Sequence, residues 1–261
     1  MSFYIGADPE AFVGDGNGVR SIIGLIGGTK NAPRPLPCGP GFAVQEDNVA
    51  LEYNIPASES KELFVSNITT AMDFLGKVLN DRYNLQFVKE SAVSFPSDQL
   101  RHPAARVFGC DPDFNAWTGK MNHKPKAEDR NLRSCGGHVH IGVVDTPYAN
   151  LSPEEIIKAC DLHLGIGSVI LDKGMLRKQL YGKAGAYRKK DYGPEYRTLS
   201  NFWIFDKKLM EWVYDGVQRS LDFVMEGGSL EEDADLIQHT INENDVEAAH
   251  YLVAKYSLQL A

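Results

Sequence analysis

"QEDNVALEYN" (residues 45–54) is the stretch that decides the fold. A strand-like segment (42–47) runs into a turn at Asp47-Asn48 and straight out into a second one (49–55) that carries Glu52. No helix separates the two, so they do not form a βαβ unit. Further strand-like segments fall at 2–7, 19–24, 84–95, 104–109 and 136–144, the last rich in β-branched residues. One helix of about six turns is predicted among them, from Ser58 to near Arg82, because Leu63, Phe64, Ile68, Met72, Leu75, Val78 and Leu79 recur at helical spacing.

The second half reads as helix. "SPEE" (152–155) offers Ser152 as N-cap, Pro153 at the first helical position and Glu155 to close a capping box. "SLEE" (229–232) repeats the box, and "NDVE" (244–247) resembles it with Asn244 as cap. Another helix is predicted after Asp206, stopping at Gly227-Gly228 and burying Leu209, Trp212, Val213, Val217, Leu221 and Val224. One strand-like segment, 194–203, lies between these helices. Strands early and helices late predict an α+β fold with a largely antiparallel sheet. The irregular stretches 27–42 and 119–134 read as loops rather than linkers. The expectation is a single domain over 1–261, with 206–261 as its helical C-terminal part.

A net charge of −8 argues against nucleic acid as a partner. The start "MSFYIGADPEAF" does not read as a signal peptide, and no apolar run is long enough to span a bilayer. Cys38, Cys110, Cys135 and Cys160 form no C-x-x-C pair and read as reduced thiols. The expectation is a cytoplasmic protein without a membrane partner.

Four segments place acids, histidines or arginines in strand-like context, and period-two spacing puts side chains on one face of a strand. Asp8 and Glu10 in "GADPEAF", His138 and His140 in "GGHVHIG", and Glu195 and Arg197 in "EYR" have that spacing, while in "QEDNVALEYN" a turn at Asp47-Asn48 leads into a strand carrying Glu52. Pro9 marks a strand end or edge. Any one pair could simply face solvent, and the two histidines read equally well as ligands or as hydrogen-bonded structural residues. Carboxylates with histidine and no thiolate suit a hard cation, Mg²⁺ or Mn²⁺, which would also relieve their mutual repulsion. Arg133, Arg177, Arg188 and Arg197, with Lys30 and Lys183, are the cations available to a phosphate. Acids, divalent metal and arginines together point to phosphoryl transfer from a nucleotide. "GLIGGTK" (24–30) lacks P-loop spacing, and no G-x-S-x-G elbow exists. "YGKAGAYRKKDYG" (181–193) reads either as a basic surface loop or as a substrate or nucleotide loop. Its Tyr181, Tyr187 and Tyr192 read either as core or as adenine contacts.

The set "GADPEAF", "GGTK…P", "QEDNVALEYN", "RSCGGHVHIG" and "YGKAGAYRKKDYGPEYRTLSNFW", spread in order over about residues 3–205, resembles the type-2 COOH–NH2 ligases of tailed bacteriophages. That family is related to glutamate–cysteine ligase and more remotely to glutamine synthetase. The resemblance implies a glutamine synthetase/glutamate–cysteine ligase-like antiparallel sheet forming a funnel, with flanking helices, that binds ATP and magnesium on its inner face. It implies Asp8, Glu10, Asp47, Glu52, His138 and Glu195 as metal ligands, with Glu46 as a substitute for Asp47. Lys30, Arg133, His140, Arg188 and Arg197 would bind the nucleotide. Arg197 would act on the transferring phosphoryl group, with Arg188 as second choice, while His140 orients a neighbour or touches substrate. The implied reaction joins a small-molecule or peptide carboxylate to an amine through an acyl phosphate. The substrates are not specified, and a homo-oligomer stays open.

Two other readings stand beside this one. The first is a metal-dependent hydrolase or cupin-like enzyme using both histidines on one transition metal. The second is a non-catalytic relative serving as a virion or binding module.

Overall fold

A computed structural model describes residues 2–106, 113–122 and 128–261. The chain forms β1 (Tyr4–Ala7), β2 (Glu10–Asp15), β3 (Gly18–Arg20), β4 (Arg34–Pro35), β5 (Ala43–Asp47), β6 (Ala50–Asn54) and then helix α1 (Lys61–Tyr83). There follow β7 (Gln86–Val88), β8 (Ala92–Ser94), β9 (Phe114–Asn115), β10 (Leu132–Ser134) and β11 (Val139–Gly142). Helices α2 (Pro153–Cys160) and α3 (Ile166–Leu171) precede β12 (Ala186–Lys190) and β13 (Gly193–Tyr196). Helices α4 (Lys207–Met225), α5 (Ala234–Glu243) and α6 (Val246–Lys255) close the chain.

Every strand pairing among the described residues is antiparallel. One sheet has the order β1-β11-β13-β12-β9. A second runs β3-β2-β6-β5-β4, with β7 also on β2, and β10 and β8 form a separate pair. The expected turn at Asp47-Asn48 joins β5 to β6, with Asn48 at φ 55°. Asn tolerates this left-handed region better than most residues.

The two larger sheets meet at Pro9. Strand β1 ends at Ala7 on β11, and β2 begins at Glu10 on β6. Strand β6 bridges the break, because Ile55 N donates to Ala7 O and Tyr53 N donates to Pro9 O. Proline, lacking an N–H, fits a point where one ladder stops and another starts.

Helix α1 starts later than predicted. Ser58 is drawn into a two-way backbone bridge with Ile5, so the cap is Ser60, whose hydroxyl accepts from Leu63 N at 3.2 Å. The helix buries Phe64, Val65, Ile68, Ala71, Leu75 and Leu79, while Leu63 faces solvent. Ser152, with Pro153, caps α2 as expected, and Asp206 caps α4. "SLEE" leads into a 3₁₀ turn (Glu231–Asp233) and α5 begins at Ala234. Asn244 ends α5 in the left-handed region, and Asp245 is the cap of α6.

Segment 84–95 breaks at 89–91 into β7 and β8, which serve different sheets. Pro103–Arg106 of the predicted strand 104–109 is a 3₁₀ turn, and 107–109 lie outside the described residues, as does Cys110. The strand predicted at 194–203 ends at Tyr196, followed by a 3₁₀ turn at Asn201–Phe205 capped by Ser200. Strand β12 was not anticipated. Cys38, Cys135 and Cys160 are free thiols.

Helix α2 packs on β12 and β13 of the first sheet, α1 touches β7 of the second, and α4 packs on both helices, with Trp203, Trp212, Val213, Val217 and Leu221 fully or almost fully buried. Each such side chain contributes about 1.5–3 kcal/mol relative to exposure. Between α2 and α3 the helix opens into one π-turn, Asp161–Gly165. No described helix is long and apolar enough to cross a membrane.

Candidate active site

Register places four residues in a line across the first sheet: Gly6 pairs with His140, His140 with Glu195, and Glu195 with Arg188. The alternate residues Ile5, Ala7, Val139, Ile141, Tyr187 and Tyr196 are buried in the core. The pleat therefore sends His140, Glu195 and Arg188 to the opposite face. Arg197 lies two residues beyond Glu195 and donates to it from Nη1.

At this face Asp8, His140 and Glu195 each offer a ligand atom, and the three atoms lie within 4.8 Å of one another. Asp8 Oδ1 stands 3.0 Å from His140 Nε2 and 3.5 Å from His138 Nδ1. Asp8 Oδ1 and His140 Nε2 are both buried yet make no hydrogen bond. Such pairs of unmatched polar atoms fit an ion better than a dry interior. Burial pushes the Asp8 carboxyl upward, but His140 and His138 outweigh it and hold it well below the usual range. Burial likewise opposes ionisation of Glu195, and Arg197 then helps bring its pKa down to about 2. The Glu195 carboxylate is fully buried, with Lys190 Nζ at 3.0 Å and Arg188 Nη1 at 3.8 Å.

Beyond Pro9 a second group forms on the second sheet from Glu10, Asp47 and Glu52, again with ligand atoms within 4.8 Å. Glu10 and Glu52 are directly opposed across β2 and β6, and Gln45 opposes Glu52 on the other side. Burial and the neighbouring Asp47 push Glu10 up to about 8. Burial, followed by Asp8, Glu10 and Asp47, raises Glu52 well above the carboxylate range. Asp47 is raised by burial against the pull of Lys30 and Arg197. Directly opposed like charges destabilise a sheet, and either a proton held by Glu10 or Glu52 or a bound cation would relieve them. Among the described residues the two groups contain five carboxylates, one imidazole and no thiolate. That donor set suits a hard divalent ion. The Cys135 thiol nearby is pushed well above its ordinary value by burial and by Glu10.

His138 was expected as the ligand and His140 as its neighbour; His140 groups with Asp8 and Glu195, and His138 Nδ1 also stands 3.5 Å from Asp8 Oδ1 and 3.9 Å from Glu195 Oε1. His138 also accepts a hydrogen bond at Nδ1 from Arg197 Nη1 at 3.2 Å, since a guanidinium can only donate. Burial and Arg197 lower its pKa to about 4, so the ring is neutral. Its other edge rests on Gly136, where a Cβ would come within 2.3 Å of His138 Nε2. The glycines before the histidines thus serve close packing: Gly136 bridges Ser200, and Gly137 N donates to Leu199 O.

Arg133 does not reach the site. Its guanidinium donates to Ala105, Arg130 and Leu132 carbonyls and to Asn48 Oδ1, so it holds loops together. Arg177 likewise donates to Thr198 O and Arg197 O from a buried position. Glu46 points away from Asp47, accepting from the backbone N–H groups of Gly24, Ile26 and Gly27, and is not a substitute ligand.

In the loop 181–193, Lys183 donates to Asn242 O, whereas Arg188 faces Glu195. Lys30 is exposed and acts on Asp47. Three residues not anticipated in these roles belong to the site: Lys190 on Glu195, Tyr192 against His140 Nδ1, and Asp113 at 3.6 Å from Arg197 Nε. Lys190 was detectable in principle, since it repeats the period-two spacing from Arg188.

Residues 127–255 match the family described as phage phiEco32-like COOH–NH2 ligase, type 2. The match contains His138, His140, Arg188, Glu195 and Arg197 and runs on through α4, α5 and the whole of α6, beyond the 3–205 span of the sequence resemblance. Asp8, Glu10, Asp47 and Glu52 precede it. No curated protein matches the chain significantly.

Proposed function

We propose, taking as premise that residues 127–255 belong to the phage phiEco32-like COOH–NH2 ligase family of type 2, that this chain is an ATP- and magnesium-dependent carboxylate–amine ligase. The supporting observation is the juxtaposition of two carboxylate-rich ligand groups with Arg188, Lys190 and Arg197 on one face of joined sheets. In this reading the two sheets joined at Pro9 are the walls of the funnel.

Asp8, His140 and Glu195 would hold one cation, and Glu10, Asp47 and Glu52 another. Bound Mg²⁺ would neutralise charge on the β- and γ-phosphates of ATP. Arg197 is fixed between Glu195 and His138, so it offers preorganised donors to the transferring phosphoryl group without reorganising. Arg188 provides a second guanidinium on the same row.

The substrate carboxylate oxygen attacks the γ-phosphorus, the bond to the β-phosphate oxygen breaks, and ADP leaves. The amine nitrogen then forms a bond to the acyl carbon, inorganic phosphate departs with the C–O electron pair, and the amine proton leaves with it. The net products are amide, ADP and phosphate.

The test is ADP formation with paired carboxylates and amines, followed by mass spectrometry of products. Carboxylate labelled with ¹⁸O should deliver one label to the released phosphate. ADP formation with no label transfer would exclude the acyl phosphate. Absence of both nucleotide binding and turnover would overturn the ligase reading. The hydrolase reading requires both histidines on one transition metal, and stoichiometric zinc or iron held by both would overturn the ligase reading.

A further inference from the structure

A cavity of about 430 Å³ opens beside Asp8 and His140, at the end of the row away from Arg188. Its walls include Tyr4, Asn54, Ile55, Ala57, Val144 and Tyr192. The space exists because Gly6 and Gly142 occupy the positions next to Tyr4 and His140 on the site face of β1 and β11. A Cβ at Gly142 would come within 2.9 Å of Tyr4 Cβ, so no larger residue fits there without movement.

Two features decide what this cavity suits. Among the described residues no lysine or arginine lines it, and Asp8 is its one carboxylate. Arg188, Lys190 and Arg197 all contact Glu195, farther along the row. A polyphosphate therefore finds its countercharges past Glu195, whereas an amine finds a carboxylate at the mouth of the cavity. Beyond Asp8 the walls are mostly apolar, with a single amide, Asn54, whose Oδ1 makes no hydrogen bond. Rotation about its last torsion would present an acceptor to an N–H donor.

Resting on the ligase reading above, we propose that this cavity seats the amine substrate, and that this amine carries an uncharged, largely apolar body of amino-acid size. An acidic side chain would find no lysine or arginine among the described lining residues. A second cationic group would lose its hydration against Ile55 and Val144 without a partner.

The experiment compares leucinamide, phenylalaninamide, lysinamide and glutamate as amines. It measures their binding to the full chain by saturation-transfer NMR and their incorporation by mass spectrometry. Ala57→Trp and Val144→Trp, both at exposed positions on the rim, fill the cavity without disturbing the core. The expected result is binding of the two apolar amides at least tenfold tighter than lysinamide or glutamate, lost at least tenfold in both variants, with ATP affinity unchanged. Unaltered leucinamide binding in both variants would overturn the proposal, as would weakened ATP binding in them, which would assign the cavity to the nucleotide. Wild-type protein that binds leucinamide but no nucleotide would leave the cavity assignment standing and overturn the ligase reading instead.

Discussion

Glu10 and Glu52 sit directly opposite each other on neighbouring strands, with Asp47 close enough that all three offer oxygens to one point. Glu10 titrates at about 8 in the fold, raised by burial and Asp47, against an ordinary value of 4.5. The folded state therefore holds this proton more tightly than the unfolded chain. Stability should fall as pH climbs from about 4.5 to 8, because the unfolded state ionises first. In EDTA the Tm should decline through that window. Magnesium should restore it, more at pH 8 than at pH 5, because the ion favours the ionised carboxylates. Glu10→Gln should raise the Tm in EDTA at pH 8 and abolish most of the magnesium effect. A flat EDTA profile would contradict this account.

The two histidines should separate by readout. His140→Ala removes a ligand atom and should weaken Mn²⁺ binding by about 10–100-fold, measured by calorimetry. His138→Ala leaves the ligand group intact but removes the acceptor that orients Arg197. It should lower kcat with a metal affinity within about threefold of wild type. The opposite ranking would return His138 to the ligand set.

Arg197→Lys keeps a charge but not the planar fork that reaches both Glu195 and His138. Turnover should drop by about 10²–10³-fold, the range for removing one preorganised donor to a developing charge. Arg133→Met is the control. It frees buried carbonyls and should cost about 1–3 kcal/mol of stability, read by urea denaturation, while leaving the KM for ATP unchanged.

Much of this site was legible because strand alternation is local. The spacings His138–His140 and Glu195–Arg197 state which residues share a face without any knowledge of the rest of the fold. The Asp8–Glu10 spacing misleads for the same reason: Pro9 hands the chain from one ladder to another, so neighbouring acids enter different ligand groups. Arg133 could not be placed from sequence, because its partner carbonyl at Ala105 is distant along the chain. Nor could the choice between the histidines, which depends on where Arg197 turns. The C-terminal helices show no chemistry in their sequence, yet they support the site. Lys178 donates to Ile241 O, and Ala184 N donates to Asn242 Oδ1, fixing the approach to β12 from α5.

Asp161 joins those helices to the active-site strands. It is fully buried at the start of the π-turn and accepts from Trp117 Nε1, Gly185 N, Tyr196 OH and, at 3.3 Å, Thr198 Oγ1. Gly185 precedes β12, and Tyr196 lies between Glu195 and Arg197, so one carboxylate sets the position of the segments carrying Arg188 and Arg197. Asp161→Ala removes the oxygen at which Trp117 Nε1 and Gly185 N, which can only donate, both end. At least one buried donor then lacks an acceptor, at a cost of about 1–3 kcal/mol. The Tm should fall by about 5 °C, given the usual few degrees per kcal/mol for a chain of this size. Because the acids of both ligand groups are untouched, Mn²⁺ affinity should change less than kcat. A larger loss of metal binding than of turnover would show that Asp161 acts on the ligand groups rather than on the strands behind Arg188 and Arg197.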